Sequence, residues 1–221
     1  MTAVAGPKPR WRGVSHLWSF FVWIPIGVAV VTTQLSGEWI AALVYVLCVS
    51  AMFGLSALYH RVDWSDRLRP HMLQLDKTGI YLMIAGSFTP IAVNLDGARY
   101  DLLLVVVWSL TAVLIAALWV PWTPPYGTIT TTMMAVGWLG LLAIPAMADQ
   151  FGVGLVVCII IGGLFFSVGA VLLALRRPKL WPETFGYHEL WHVLVIVGAL
   201  VHFAGLALYV FSGEPSQTLA G

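Results

Sequence analysis

Long stretches without a single charged side chain dominate this sequence. One runs from Leu102 to Ala148 and another from Gly13 to Gly37. Each is long enough to cross the hydrocarbon core of a bilayer, which takes about 20 apolar residues in a helix. A water-soluble domain needs about a quarter of its residues charged, whereas only 10% are charged here and 60% are hydrophobic. The chain is therefore predicted to be an integral membrane protein.

Charged and turn-forming residues divide the sequence into seven candidate membrane helices. The segment 121–127 contains three prolines, so it ends the fourth helix before the fifth begins. The charge-free windows are 17–36, 39–60, 78–95, 102–120, 128–148, 150–175 and 190–213. We expect the third and seventh helices to begin a turn or two earlier, near His71 and Gly186. The predicted fold is all-α, a seven-transmembrane helix bundle.

The basic residues predict the orientation of this bundle. With seven crossings, ten of the eleven Lys and Arg residues fall on one face and only Arg99 falls on the other. Cytoplasmic loops collect Lys and Arg, so the N-terminus is predicted to be cytoplasmic and the C-terminus outside. The prediction divides the chain into a cytoplasmic tail (1–16), the transmembrane domain (17–211) and an external tail (212–221). This orientation, without D-R-Y or N-P-x-x-Y motifs at the relevant helix ends, disfavours a rhodopsin-like receptor.

Three histidines are expected at membrane depth near the cytoplasmic face. His60 ends the second helix, and His188 and His192 open the seventh. Because residues four apart share one helix face, this pair can give two ligands to one tetrahedral metal ion. His60 offers a third imidazole and leaves the fourth position for water. His16 and His71 are interpreted as interface residues, whereas His202, about 15 Å further along the last helix, is too deep to join and its role stays open.

Two more polar residues are expected at the same depth. Asp76 lies about one turn into the third helix, and Ser56 lies one turn before His60. A carboxylate in a spanning segment is costly and usually faces a partner or a polar cavity. From the residues alone, other interpretations stay open. The histidine pair can be solvated at the interface, Asp76 can pair with Lys77 or a loop arginine, and Ser56 can pack between helices.

The histidine pair also forms a zinc-protease signature. Residues 188–192 read H-E-x-x-H, in which the glutamate acts as a base, and residues 94–97 contain L-D-G, similar to a motif of the site-2 intramembrane proteases. That family places L-D-G after H-E-x-x-H, and Asp96 is predicted on the external face, a membrane thickness from His188. A protease is therefore disfavoured, and Glu189 is interpreted as a solvated interfacial residue.

Three sequence blocks resemble the hemolysin III family, the bacterial branch of the progestin and adiponectin receptor superfamily. The blocks are Ser56–His60, Asp76–Pro90, and His188–His192 continuing through His202–Phe203. The resemblance covers nearly the whole chain. It implies a multi-pass protein of the bacterial cell (plasma) membrane with seven helices. It also implies a zinc site on His60, His188 and His192, with Asp76 and Ser56 nearby.

The resemblance implies two different activities. The superfamily includes membrane hydrolases such as alkaline ceramidases, whereas the family name comes from haemolytic, pore-forming activity. A zinc-dependent hydrolase of lipid amide or ester bonds would use Asp76 to hold or deprotonate a water molecule, with help from Ser56. A pore-forming cytolysin is disfavoured because the fourth and sixth helices are almost wholly apolar. A non-catalytic regulator of membrane state, with structural zinc, is the third hypothesis.

Membrane lipids are the expected partners, together with a lipid-like substrate. The net charge of +1 gives no indication of a nucleic-acid partner, and none is expected.

Overall fold

The structure, a computed structural model, describes residues 9–34, 39–181 and 183–212. Within these ranges the chain is helical and contains no β-strand. The helices are α1 (Val14–Thr33), α2 (Trp39–Arg61), α3 (Arg69–Ala92), α4 (Ala98–Leu118), α5 (Thr128–Trp138), α6 (Ile144–Phe151), α7 (Val153–Leu175) and α8 (Tyr187–Tyr209). A 3₁₀ turn at Leu139–Ala143 joins α5 to α6. The all-α prediction is confirmed.

Six helical segments are long and apolar enough to cross a membrane: α1, α2, α4, α5 together with α6, α7 and α8. Helix α3 is not among them, although it has 24 residues. It carries Asp76 and Lys77, and it packs most extensively against α2. Polar residues are tolerated at membrane depth when they face protein or a cavity rather than lipid. The count of six therefore falls one short of the predicted seven, and α3 accounts for the difference.

The fifth predicted helix is interrupted in its middle. A single helix was expected over 128–148, whereas the structure places the 3₁₀ turn at Leu139–Ala143 between α5 and α6. Pro145 has no N–H to donate to the carbonyl four residues earlier, and Gly140 weakens the helix by its backbone freedom. The charge-free window could not reveal this break, because neither residue is charged.

Three of the predicted boundaries lie close to helix starts. Helix α3 begins at Arg69 and α8 at Tyr187, near the expected positions, and α1 begins at Val14, three residues before the expected domain boundary. Residues 1–8 and 213–221 of the two predicted tails lie outside the described residues.

Glycines bring α7 and α8 into close contact. A Cβ atom added to Gly162 would lie 2.9 Å from the carbonyl oxygen of Gly198, and one added to Gly198 would lie 3.0 Å from the carbonyl oxygen of Gly162. Small residues at such crossings let helix backbones approach closely in membranes. Nearer the start of α8, a Cβ atom added to Gly169 of α7 would lie 2.6 Å from the ring of Trp191. The turns of α8 that carry two of the three histidines therefore pack closely on α7.

Candidate metal centre

Helices α2 and α8 bring three imidazoles together. His60 occupies the last turn of α2, and His188 and His192 lie in the first two turns of α8. One ring nitrogen from each can be chosen so that all three lie within 4.8 Å of one another. The Nε2 atoms of His60 and His188 are 3.2 Å apart. The ring centroids of the three residues are 4.7 to 4.9 Å apart, so the rings surround one point.

This arrangement fits a metal ion. Ligand nitrogens bound to tetrahedral zinc at 2.0–2.1 Å lie about 3.3 Å from one another. The 3.2 Å separation between His60 and His188 matches that value. The third nitrogen lies within 4.8 Å of the other two, so it needs to move by at most about 1.5 Å to reach it. His60 and His192 are buried, with 7% and 2% of their surface exposed. The three histidines could therefore hold a metal ion, and imidazole suits zinc, copper, iron and nickel alike.

Asp76 approaches the same point from α3. Its Oδ2 atom lies 3.9 Å from Nε2 of His60, and 15% of its side chain is exposed. Ser56, one turn before His60 on α2, is buried and close enough to interact with the Asp76 carboxylate. The structure thus brings together all five residues singled out from the sequence. The carboxylate and the hydroxyl lie beside the three imidazoles rather than among them.

Glu189 differs from the expectation. It was interpreted as a solvated residue, whereas only 2% of its surface is exposed. Its Oε1 atom pairs with the guanidinium of Arg12, and its Oε2 atom accepts a hydrogen bond of 2.7 Å from the backbone N–H of Gly186. A buried carboxylate needs such partners, and the Gly186 N–H would otherwise be an unsatisfied donor at the start of α8. The solvated interpretation is therefore wrong.

His16 also differs from the expectation. It was interpreted as an interface residue, but it is 3% exposed and its ring stacks on that of His192, with centroids 4.0 Å apart and planes inclined by 6°. No spacing relates His16 to either ligand motif, so only the packing of α1 beside α8 reveals it. His71 is exposed, and His202 contacts the carbonyl oxygen of Ile159 at 3.0 Å.

A cavity of about 850 Å³ extends from the histidines into the bundle. Ser56, Asp76, His188 and His192 line it at one end. Apolar side chains from α3, α4, α5, α7 and α8 and from the segment between α4 and α5 form most of the remaining wall, which reaches His202. The volume lies near the upper end of the range of about 300–1,000 Å³ for small-molecule sites. A molecule with a polar group and an apolar chain matches this layout.

Asp96 lies far from this cluster. It follows α3, whereas Asp76 is near the start of that helix. The sixteen helical steps from Asp76 to Ala92 alone span about 24 Å. The aspartate of the L-D-G sequence therefore does not join the histidines, in agreement with the argument against a site-2 protease.

Comparisons with known proteins agree with these observations. A family model described as Haemolysin-III related matches residues 5–203. Hemolysin-3 of Bacillus cereus is 28% identical over 175 residues, which cover 77% of this chain and 75% of that protein. The Hemolysin-3 homolog of Bacillus subtilis (strain 168) is 30% identical over 139 residues, which cover 61% of each chain.

A plant relative extends the comparison. Heptahelical transmembrane protein 4 of Arabidopsis thaliana is 28% identical over 167 residues, which cover 66% of this chain and 42% of that protein. The aligned region thus spans less than two thirds of the Bacillus subtilis and Arabidopsis proteins. The family match nevertheless covers most of the chain, and six helices are apolar enough to cross a membrane. This chain is a multi-pass membrane protein that belongs to the haemolysin-III related family.

Proposed function

We propose that this protein is a zinc-dependent membrane hydrolase that cleaves an amide or ester bond of a lipid. One juxtaposition carries the proposal. Three imidazole nitrogens lie within 4.8 Å of one another, a carboxylate oxygen lies 3.9 Å from one of them, and a largely apolar cavity of about 850 Å³ leads away from them. Metal ligands, a general base and a place for an apolar chain therefore meet at one point in the bundle.

Each side chain has a role in this proposal. His60, His188 and His192 would hold a zinc ion, which would act as a Lewis acid and lower the pKa of a bound water molecule. Asp76 orients a water molecule and accepts its proton, as a general base within hydrogen-bond reach does. Ser56 keeps the Asp76 carboxylate in place or donates a hydrogen bond to the oxygen of the carbonyl under attack.

The cavity supports a lipid as the substrate. Its wall is largely apolar beyond the histidines, so an acyl chain would leave lipid for another apolar environment. The polar end of the molecule would remain beside Asp76 and the metal ligands. The scissile bond is therefore expected close to the polar group of the lipid.

The proposal includes a seven-crossing topology with a cytoplasmic N-terminus. Helix α3 would be the seventh crossing, since its 24 residues span about 36 Å and exceed the hydrocarbon thickness of about 30 Å. Residues 17–211 would form the transmembrane domain, with 1–16 as the cytoplasmic tail and 212–221 as the external tail. The metal centre would then lie at the cytoplasmic side, where Lys and Arg collect.

A second candidate function, a pore-forming cytolysin, is favoured by the name Hemolysin-3 of the Bacillus relatives. Pores need polar side chains along several helices, and α4 and α7 carry few. Dye release from liposomes by the purified protein would favour this candidate if it persisted after loss of all three histidines. A regulator with structural zinc is the third candidate, and turnover separates it from the hydrolase.

The first prediction concerns metal content. Detergent-purified wild type is expected to hold about one zinc ion per chain by plasma mass spectrometry, because three imidazoles are enough to bind zinc with water in the fourth position. A variant with alanine at His60, His188 and His192 is expected to lose it. The zinc-loaded wild type is then screened against lipid amides and esters beside Asp76→Ala.

The outcomes separate the three candidates. Turnover that depends on Asp76 supports the hydrolase. Zinc without turnover across the panel favours the regulator, and a well-folded wild type without zinc excludes the proposed mechanism.

A further inference from the structure

Residues 10–16 form a segment, here called the N-terminal bracket, that runs beside the histidine cluster. The backbone N–H groups of Arg10 and Trp11 donate hydrogen bonds of 3.1 Å to the carbonyl oxygens of Glu183 and Thr184. The bracket is thereby tied to the loop that precedes α8. A side-chain ion pair between Arg12 and Glu189 ties it to the first turn of α8.

The bracket also contacts α2. Gly13 has a φ of +73°, and a Cβ atom added to it would lie 2.5 Å from the Cβ atom of His60. Only glycine combines this backbone conformation with such a close approach. The ring of His16 packs edge-on against Phe53 of α2, with centroids 5.5 Å apart. The bracket therefore touches one proposed ligand, His60, through Gly13.

The distance between the end of α2 and the start of α8 depends on a third element that contacts both helices. Helix α2 packs mainly on α1 and α3, and α8 packs mainly on α7, while α1 contacts both. Among the described residues, α2 and α8 share no extensive direct contact. A metal site on His60, His188 and His192 nevertheless requires the two helices to present their nitrogens within about 2 Å of one ion.

His16 contacts the other side of the site. Its ring lies flat against His192, with centroids 4.0 Å apart and planes inclined by 6°. Both residues are buried, so the stacked contact favours one orientation of the His192 ring. Partners outside the ligand set that orient a metal ligand, usually through hydrogen bonds, tune metal affinity as well as geometry, and here the orienting contact is ring stacking.

We infer that the N-terminal bracket is part of the metal centre. It holds the end of α2 and the start of α8 at ligand distance, and His16 is a positioning residue that fixes the ring of His192. The inference rests on the proposed metal site and adds to it a contact from α1, the stacking of His16 on His192.

Cobalt(II) titration of the full-length protein in detergent tests this role without turnover. Visible absorption reports both the affinity for Co²⁺ and the geometry of its ligands. His16→Ala is expected to weaken Co²⁺ binding about 10- to 100-fold, the effect typical of residues that orient metal ligands, and to change the spectrum. His16→Phe keeps a flat ring against His192 and is expected to restore most of the affinity.

His71→Ala is the matched control. His71 is an exposed histidine at the start of α3, outside the cluster, so this variant should bind Co²⁺ like the wild type. Wild-type affinity and spectrum in a folded His16→Ala variant overturn the inference and leave the metal site standing. Absence of Co²⁺ binding in the wild type overturns both.

A further pair of variants covers the case in which His16→Ala does not fold. His16→Leu fills the space without a flat ring, and it is compared with His16→Phe. Weaker binding by the leucine variant supports the positioning role, whereas equal affinities overturn it.

Discussion

Asp76 and Glu189 are acidic residues beside the proposed ligands, and their surroundings give them different roles. Asp76 has one oxygen 3.9 Å from Nε2 of His60 and lines the cavity. Both oxygens of Glu189 are engaged, one by Arg12 and the other by the Gly186 N–H. A carboxylate that caps a helix and neutralises an arginine is poorly placed to accept a proton from water. Asp76 is therefore the better candidate for the general base of the proposed hydrolase.

Amide substitutions separate these roles. Asp76→Asn is expected to retain zinc and to lower kcat about 10²- to 10⁴-fold, the usual contribution of a general base. Glu189→Gln keeps an oxygen that can accept from the Gly186 N–H but removes the ion pair with Arg12. It is therefore expected to bind zinc more weakly, whereas the kcat of its zinc-loaded form stays close to that of the wild type. The kcat of each variant is measured with a lipid that the wild type hydrolyses in the screen, and its zinc content is determined in parallel. An equal loss of kcat in zinc-loaded Glu189→Gln would instead indicate that Glu189 is the general base of an H-E-x-x-H site.

The sequence predicts some of these residues better than others. The i, i+4 spacing of His188 and His192 and the helix-end position of His60 follow from local patterns, and the structure brings these residues together. Asp76 stands out because a carboxylate in an apolar helix is costly. His16 and the partner of Glu189 depend on how the start of α1 packs against α8. No spacing within one helix encodes that contact.

At the scale of helices, close packing of α7 and α8 fixes where the second and third proposed ligands lie. Gly162 and Gly198 face each other across this contact, and the ring of His202 packs against Gly162. Interiors are packed densely enough to transmit small displacements. A change at Gly162 is therefore expected to shift α8 as a whole.

Alanine substitutions of two helical glycines test this packing. Gly162→Ala is expected to destabilise the protein by about 1–3 kcal/mol through overpacking, because the added methyl group would lie 2.9 Å from a backbone oxygen. Gly137→Ala in α5 is the control, since a Cβ atom there meets nothing within 4 Å among the described residues. Alanine favours a helix over glycine by about 0.5–1 kcal/mol, so the control should be neutral or stabilised. Thermal unfolding in detergent provides the comparison, and similar midpoints for both variants would contradict the packing argument.

Helix positions were more predictable than helix continuity. Charge-free windows locate every crossing candidate because lipid excludes charge. They cannot detect the 3₁₀ turn at Leu139–Ala143, which arises around Gly140 and Pro145. The window for α3 also begins at residue 78, nine residues after the helix starts at Arg69, because Asp76 and Lys77 interrupt the charge-free stretch.

At the scale of the whole molecule, the crossing by α3 determines on which side each later loop lies. The loop before α3 contains Asp66 and the loop after it contains Asp96, and both residues are exposed. With six crossings and α3 confined to one side, these two loops would share a face. With seven, they lie on opposite faces, and the ten basic residues gather on the side of Asp66.

Single cysteines at these two loops test the crossing. In a variant without Cys48 and Cys158, Asp96→Cys is expected to react with a membrane-impermeant maleimide in intact cells, because its loop would be external. Asp66→Cys is expected to react only after the membrane is permeabilised, since the basic loop around it would be cytoplasmic. Arg10→Cys, before α1, serves as the control for the cytoplasmic side, because α1 and α2 return the chain to the side of Arg10 before Asp66 in either topology. Labelling of Asp66→Cys and Asp96→Cys under the same condition would show that α3 does not cross. The seven-crossing topology would then be wrong. The proximity of the three histidines would be wrong with it, because three crossings by α4, α5–α6 and α7 would put the end of α2 and the start of α8 on opposite faces.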